Sequence, residues 1–469
     1  MSSNGVEVIP SAKRLIRSLR DMGYEFAAAV ADLIDNSVEA KANTVWVDIV
    51  WDGETSYVAI ADNGLGMAPQ QLREALRFGS ERDYEDEDLG KFGLGLKTAS
   101  LSQCLKLTVA TRQNATRADI NAYCWDVDHV DATNRWEILP VKPTELQGGA
   151  RQHLKETTGT VVIWERLDRI LGYKKPDGES ARKQLISMCR ELEDHIAMVF
   201  HRFLSGEVRG KRLAIYVNEN KVVPWDPFAR NEPGTKKPEV KTFRVEGHRG
   251  KGDVIVEPFV LPHQSKFSSP EAFNRASGPE KWNKQQGFYI YRADRMIQSG
   301  GWSGLRALDE HRKLSRIAIS FTPKLDEEFK INVPKMRVSL PASIRDLIGK
   351  AIAPAVTMAE DEYRQRERKS SGMPPLPTAP PEPAPADSKS ASVELCTSTS
   401  APAPDRSDGL SPSPVGDVGV GSELSNGAAA PVSRQELERV TAFLRKIAKP
   451  EEVAALENIV NRALSSLPE

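Results

Sequence analysis

Apolar positions in the first part of the chain switch between two periods. Leu15, Ile16 and Leu19 fall on one side of a helix expected over 11–22, which Gly23 ends. A second helical pattern, richer in Ala, Val, Leu and Ile, runs over 25–40. The period then becomes two: 44–51 and 56–61 alternate like paired strands across Asp52-Gly53. Helices over 68–78 and 92–102 flank a polar, acidic stretch at 79–90, and short apolar strands follow at 105–111 and 160–165. Helix–strand–strand–helix order without regular βαβ alternation predicts an α+β sandwich with a mixed or antiparallel sheet.

A helical stretch over 180–204 leads into a second strand-rich region, with its strongest strands expected at 212–217, 253–259, 287–291, 316–321 and 331–333. Ile344, Leu347, Ile348, Ile352 and Val356 mark a closing helix that ends in the charged run 360–369. The spacing predicts two domains in the body, 1–170 and 171–370, meeting near 166–180. Residues 371–432 contain no aromatic residue and hold 12 of the 31 prolines, mixed with Ser, Ala and Gly. Such a segment buries too little apolar surface to offset its ordering entropy and reads as a disordered linker. Beyond it, 433–469 reads as a helical hairpin. Ser433 and Glu436 fit a capping box, and Leu437, Val440, Leu444 and Ile447 recur at helical spacing before Pro450 restarts the pattern. A hairpin this short has too small a core to stand alone, so it is expected to dock on a protein partner, on a second copy or on the body.

Composition narrows the function classes. Lys and Arg number 64 and Asp and Glu 65, a formal charge of −1, which excludes nucleic-acid binding through overall charge alone. Locally, 206–251 carries 11 Lys/Arg against six Asp/Glu, which reads equally as a phosphate-contacting face or a solvated one. The cysteines at 104, 124, 189 and 396 form no CxxC pair and no zinc spacing, so neither a disulfide scaffold nor a zinc site is expected. The chain shows neither a secretory leader pattern nor an apolar run long enough to span a membrane, and a cytoplasmic location is expected.

Three short motifs carry the chemistry. Ala31-Asp32-Leu33-Ile34-Asp35-Asn36-Ser37 places Asp32, Asp35 and Asn36 within one turn of an otherwise apolar helix. Burying such groups is costly unless they have partners, and their oxygens are hard ligands suited to Mg²⁺. Asp62-Asn63-Gly64-Leu65-Gly66-Met67 follows a strand directly. An Asp there can accept a hydrogen bond from an exocyclic amine, while the glycines let the backbone turn and approach a flat ligand. Gly90-Lys91-Phe92-Gly93-Leu94-Gly95-Leu96-Lys97 runs into a helix, offering backbone N–H groups and a positive dipole end to phosphates. It has neither the ending of a Walker loop nor the βαβ surroundings of a dinucleotide fingerprint.

In their order, and with Gly159-Thr160 ahead of a strand, these motifs resemble those of the GHKL ATPases, which include gyrase B subunits, heat-shock chaperone ATPases, histidine kinases and MutL. The resemblance implies the Bergerat fold, a sheet backed by helices with a mobile lid, and ATP with Mg²⁺ as ligands. It makes Asn36 the magnesium ligand, Asp62 the adenine-binding carboxylate with Gly64 and Gly66 beside the base, and Gly93, Gly95 and Lys97 the phosphate cradle. Thr160 would lie near the adenine, and Asp35, Met67, Gly90, Phe92 and Leu94 are carried along as nucleotide-binding positions. Asp32 stands where gyrase and MutL carry a glutamate general base. It is one methylene shorter, so slow hydrolysis is expected. The plain alternative for Asp32 is a capping or ion-pairing acid.

The second region resembles the transducer domain of the gyrase, MutL and MORC branch. The stretch Phe329-Lys330-Ile331-Asn332-Val333-Pro334-Lys335 implies a lysine, Lys335, delivered to the γ-phosphate, with Gln285 and Gln286 as further candidates at that interface. Residues 213–228 and 287–292 look most like the bacterial MORC-like ATPases. The resemblance covers about 8–345. It implies an ATP-gated homodimerising clamp, and by family analogy DNA as the client. A chaperone-like or signalling ATPase acting on protein partners through 433–469, and an ATP sensor without turnover, remain alternatives.

Overall fold

The computed structural model describes residues 8–21, 23–79, 95–114, 119–155, 157–172, 175–331 and 338–370. In chain order the first part contains α1 (Ala12–Arg20), α2 (Phe26–Glu39), β1 (Thr44–Val50), β2 (Tyr57–Asp62), α3 (Pro69–Leu76), α4 (Gly95–Leu101), β3 (Lys106–Arg112), β4 (Asn121–Asp126), α5 (Val127–Thr133), β5 (Leu139–Pro140), α6 (Gly148–His153) and β6 (Gly159–Glu165). There follow α7 (Glu179–Val199), α8 (His201–Leu204), β7 (Ala214–Val217), β8 (Asn220–Lys221), β9 (Lys241–Gly247), β10 (Gly250–Val260), α9 (Pro270–Ala276) and α10 (Lys281–Lys284). The last elements are β11 (Gly287–Arg292), β12 (Arg295–Ser299), β13 (Ser315–Phe321) and α11 (Ala342–Ser370).

The strands form two mixed sheets, ordered β5-β4-β3-β6-β2-β1-β7-β8 and β12-β11-β13-β10-β9. In the first, neighbours are antiparallel except β1 and β7. The fold is therefore an α+β sandwich. Strand β7, which the hydrophobic pattern grouped with the second region, instead extends the first sheet through Thr44↔Ala214 to Val47↔Val217.

Strand alternation sorts the first core. Val45, Val47 and Ile49 of β1 and Val58 and Ile60 of β2 point into a large cluster shared with α1, α2, α4 and α7. On the opposite face, small residues (Ala59, Ala61, Ala110 and Ala122) leave room for Ala150 and Leu154 of the α6 region to pack closely. Helix α2 is apolar nearly all round and is buried along most of its length, as a helix wedged between a sheet and other helices must be. Ser11 caps α1 by accepting from the Arg14 amide, and Ala12, Ile16 and Arg20 form its buried stripe.

The second sheet turns Val254, Val256, Phe288, Ile290, Ile317 and Ile319 toward α11, whose Ile344, Ile348, Ile352 and Val356 cover them. Leu347 corrects the pattern reading: it is 48% exposed. At about 100° per residue the buried positions of α11 sweep an arc of about 120°, and Leu347 lies about 60° outside it. The long helix expected over 180–204 breaks at Phe200 into α7 and α8. The strand expected at 331–333 falls mostly outside the described residues, as do the linker 371–432 and the hairpin 433–469. Among the described residues no helix is long and apolar enough to cross a membrane.

Candidate functional site

Three adjacent strands of the first sheet bring together side chains far apart in sequence. Asp62 ends β2, Thr160 lies directly across on β6, and Thr111 of β3 faces Thr160 from the other side. The Thr111 hydroxyl donates to the Gly159 carbonyl at 2.9 Å, lies 3.2 Å from the Thr160 hydroxyl and accepts from the Met67 amide at 2.9 Å. The Asp62 carboxylate accepts from the Gly64 amide at 2.8 Å and the Ser37 hydroxyl at 3.1 Å. Burial pushes the Asp62 carboxyl above the usual carboxylate range, although these two donors and the Thr160 backbone amide pull it down. A desolvated carboxylate with acceptor capacity beyond two bonds is suited to a ligand N–H donor.

The loop after Asp62 leaves no room for side chains at its glycines. A Cβ on Gly64 would sit 2.6 Å from the Ala40 carbonyl oxygen and 2.9 Å from an Asp62 oxygen. One on Gly66, whose φ is +63°, would sit 2.2 Å from the Arg112 carbonyl oxygen. The loop is pinned by Leu65 N–H to Ala40 O and by the Thr158 hydroxyl to Gly64 O, each at 2.9 Å. Gly66→Ala is therefore expected to destabilise the chain by about 1–3 kcal/mol, measured by denaturant unfolding. A stability within 0.5 kcal/mol of the parent (about the scatter of neutral surface changes) would show that the loop relaxes.

Helix α2 supplies the second group. Asp32 and Asp35 are both buried one turn apart, and Asn36 is half-buried at the following position. The Tyr24 hydroxyl donates to Asp32 at 3.1 Å, and burial together with the Asp32 charge pushes that phenol well up. Arg295 reaches in from β12: its Nε lies 3.0 Å from the Asp35 carboxylate, and another nitrogen lies 3.6 Å from Asp32. A Cβ on Gly95 would lie 3.8 Å from an Asp32 oxygen, so the start of α4 abuts this carboxylate. Lys97 is buried and donates to the Ala75 carbonyl at 3.0 Å. Burial lowers its ammonium to about 8. Ser37, on the same helix as Asn36, touches Asp62 and so joins the two groups.

The structure thus gathers Asp62, Gly64, Gly66, Met67 and Thr160 in one cluster and Asp32, Asp35, Asn36 and Gly95 in a second, linked by α2. Gly90, Phe92, Gly93, Leu94 and Lys335 lie outside the described residues. Gln285 and Gln286 are buried inside the second region. Gln285 accepts from the Tyr289 hydroxyl at 2.7 Å, and Gln286 accepts from the Trp302 indole at 3.0 Å. A cleft of about 500 Å³ lined by Tyr24, Phe26, Gln103 and Met188 opens at the N-terminal end of α2 but includes none of Asp62, Gly64 and Asn36. Sequence reasoning passed over Tyr24, Ser37, Thr111 and Arg295. Ser37 adjoins the first motif and was within reach. Thr111 and Arg295 carry no local signal, because sheet register and packing alone bring them here.

Residues 24–160 match a family described as histidine kinase-, DNA gyrase B-, and HSP90-like ATPase. This stretch is a GHKL ATPase domain. The span begins at Tyr24 and ends at Thr160, so both carboxylate clusters fall inside it and Arg295 falls outside. The chain is similar to parts of curated proteins, three of which illustrate the likeness. These are the ATPase morc-1 of Caenorhabditis elegans, 28% identical over 87 residues, and Protein MICRORCHIDIA 6 of Arabidopsis thaliana, 34% over 92. The third is the DNA mismatch repair protein MutL of Kosmotoga olearia, 38% identical over 50 residues. The matches cover 19%, 18% and 11% of this chain, and only 10%, 14% and 8% of those proteins. They agree with a place in the MORC and MutL branch and with ATP as the ligand of the GHKL domain.

Proposed function

We propose that the chain is a Mg²⁺-dependent ATPase in which bound nucleotide gates the pairing of two copies, and that DNA is its client. The observation that carries the reading is the placement of Asp62, Thr160 and the tight Gly64–Gly66 loop beside the Asp32–Asn36 turn of α2. In this reading Asp62 and Thr160 hold the adenine, and Gly64 and Gly66 let the backbone lie against its face. Asn36 gives Mg²⁺ one oxygen. Among the described residues no three His, Cys, Asp or Glu side chains cluster as a metal cage. That suits Mg²⁺, which prefers substrate phosphates and water to an all-protein cage. Asp32 is the general base for the attacking water, and Gly90, Phe92, Gly93, Leu94, Gly95 and Lys97 surround the phosphates, with Asp35 held behind them by Arg295. Lys335 stabilises charge on the transferred phosphoryl group. The linker and the C-terminal hairpin belong to the same proposal, with the hairpin as a docking element for a protein partner.

Calorimetry with Mg-ATP, followed by turnover and mass measurements with and without nucleotide, tests this. Heat of binding, slow hydrolysis and a nucleotide-dependent dimer are expected. Binding without turnover would leave a sensor, and no binding would end the reading.

One relative's name, DNA mismatch repair protein MutL, and the gyrase B in the family description support DNA as the client. Six basic residues of the 206–251 stretch (Arg230, Lys236, Lys237, Lys241, Arg244 and Lys251) pair with carboxylates. Arg209, Lys211 and Arg212 stand exposed ahead of β7 and are the better phosphate contacts. Turning all three to Glu is expected to abolish DNA-stimulated turnover and leave the DNA-free rate within about twofold. Turnover indifferent to DNA in the parent chain would favour a protein client.

A further inference from the structure

Two buried carboxylates one turn apart on α2 face the buried guanidinium of Arg295, which the chain supplies from the other sheet. Arg295 opens β12, directly after the turn that joins it to β11. Both turn residues have left-handed backbones, Ala293 at φ 45° and Asp294 at φ 67°, the conformation of a tight two-residue hairpin. Every residue of this turn is tied down. Arg292 pairs with buried Asp326 at 2.7 and 2.8 Å, the Ala293 amide donates to Phe321 O at 3.1 Å, and Asp294 accepts from Arg202 at 2.9 Å. Ala293 also packs against the first hydrophobic core, and Arg202 stacks on Tyr291 at 3.6 Å. The turn is therefore a rigid tip of the second sheet seated against the nucleotide-binding part, with Arg295 as its chemical contact.

We propose that Arg295 is a positioning residue for hydrolysis: it holds Asp32 in its working orientation, so that turnover depends on the seating of the β11–β12 turn against α2. The inference rests on the ATPase reading and adds its control. The ion pair to Asp35 fixes the guanidinium, because buried partners this close leave little rotational freedom; one terminal nitrogen then faces Asp32 and the other donates to the Met296 carbonyl at 3.4 Å. Tyr24 holds the opposite edge of the same carboxylate. A general base one methylene short of glutamate has little reach to spare, so its aim matters more than its contact area. A shift of the second sheet that withdrew Arg295 would release Asp32 without touching Asp62 or its loop. Hydrolysis and nucleotide binding would then be separable.

The full-length chain tests this with Arg295→Gln, Arg295→Lys and Arg202→Gln, read by kcat, by Mg-ATP affinity from calorimetry and by thermal midpoint. Arg295→Gln is expected to lower kcat about tenfold or more while the dissociation constant moves less than threefold. Arg295→Lys keeps a charge able to reach one carboxylate at a time and should recover several-fold of that loss. Arg202→Gln loosens the same turn from α8 without touching either carboxylate. It should lower the thermal midpoint and, at temperatures where it is folded, lower kcat by less than Arg295→Gln does, with the dissociation constant within threefold. The proposal is overturned if folded Arg295→Gln or Arg295→Lys keeps the parental kcat, or if Arg202→Gln lowers the thermal midpoint and leaves kcat at the parental value. Parallel loss of affinity and kcat in Arg295→Lys also overturns it. Binding and turnover in the unmodified chain are measured first, so a failure of the ATPase reading itself shows there and not in the variants.

Discussion

Asp32→Asn is expected to cut ATP turnover at saturating nucleotide by about 100-fold or more, with Mg-ATP affinity held within a few-fold. The change is nearly isosteric, so the contacts to Tyr24 and the close approach of Gly95 survive in outline. The charge that would draw a proton from water is lost. Arg295 retains Asp35 as a counter-ion, so the variant is expected to fold. Steady-state kinetics paired with calorimetry separates the two quantities. Turnover within twofold of the parent would remove Asp32 from the chemistry and leave it the ion-pairing role that its distance to Arg295 also allows.

The second large effect is expected at Asp62. Asp62→Asn turns a charged acceptor into an amide with one oxygen and one NH₂ group, so one face of the site would meet a ligand amine with donor against donor. Losing a charge-assisted hydrogen bond in a desolvated site costs about 1.5–3 kcal/mol, which weakens adenine-nucleotide binding by roughly 10- to 100-fold. Gly64 and Ser37 donate to different Asp62 oxygens; the amide oxygen can keep the Gly64 bond, and the Ser37 hydroxyl, which also donates to Leu33 O, can accept from the NH₂ group, so the loop should stay formed. Competition by nucleotides that lack an exocyclic amine sharpens the test, because Asp62→Asn should penalise ATP more than such analogues. Equal affinity of parent and variant for ATP would place the base elsewhere.

The shift at Asp62 also has a sign in pH. Its folded-state carboxyl titrates above the unfolded one because burial disfavours the charge. Ionising it therefore costs folding stability as pH rises from the unfolded value through the folded one, and the cost is absent below that window. A group kept at such a cost, with a hydroxyl and an amide aimed at it, is what a ligand-binding carboxylate is expected to look like.

Much of the nucleotide-binding part was legible in the chain itself. Strands β1 and β2 followed from period-two alternation, β6 from a short apolar run, and α2 from its dense apolar pattern, because local patterning records which face each element buries. Polar residues standing inside that buried helix, and glycines directly after a strand, marked the chemistry before any fold was known, since neither is tolerated there without a partner or a close approach. Tertiary structure alone decided how distant segments meet. Thr111 faces Thr160 through sheet register, β7 joins the first sheet in parallel with β1, Leu347 falls outside the buried arc of α11, and Arg295 crosses from the second sheet to neutralise α2. These depend on long-range pairing of surfaces that share no local period, and charge balance between two sheets exists only once both are folded.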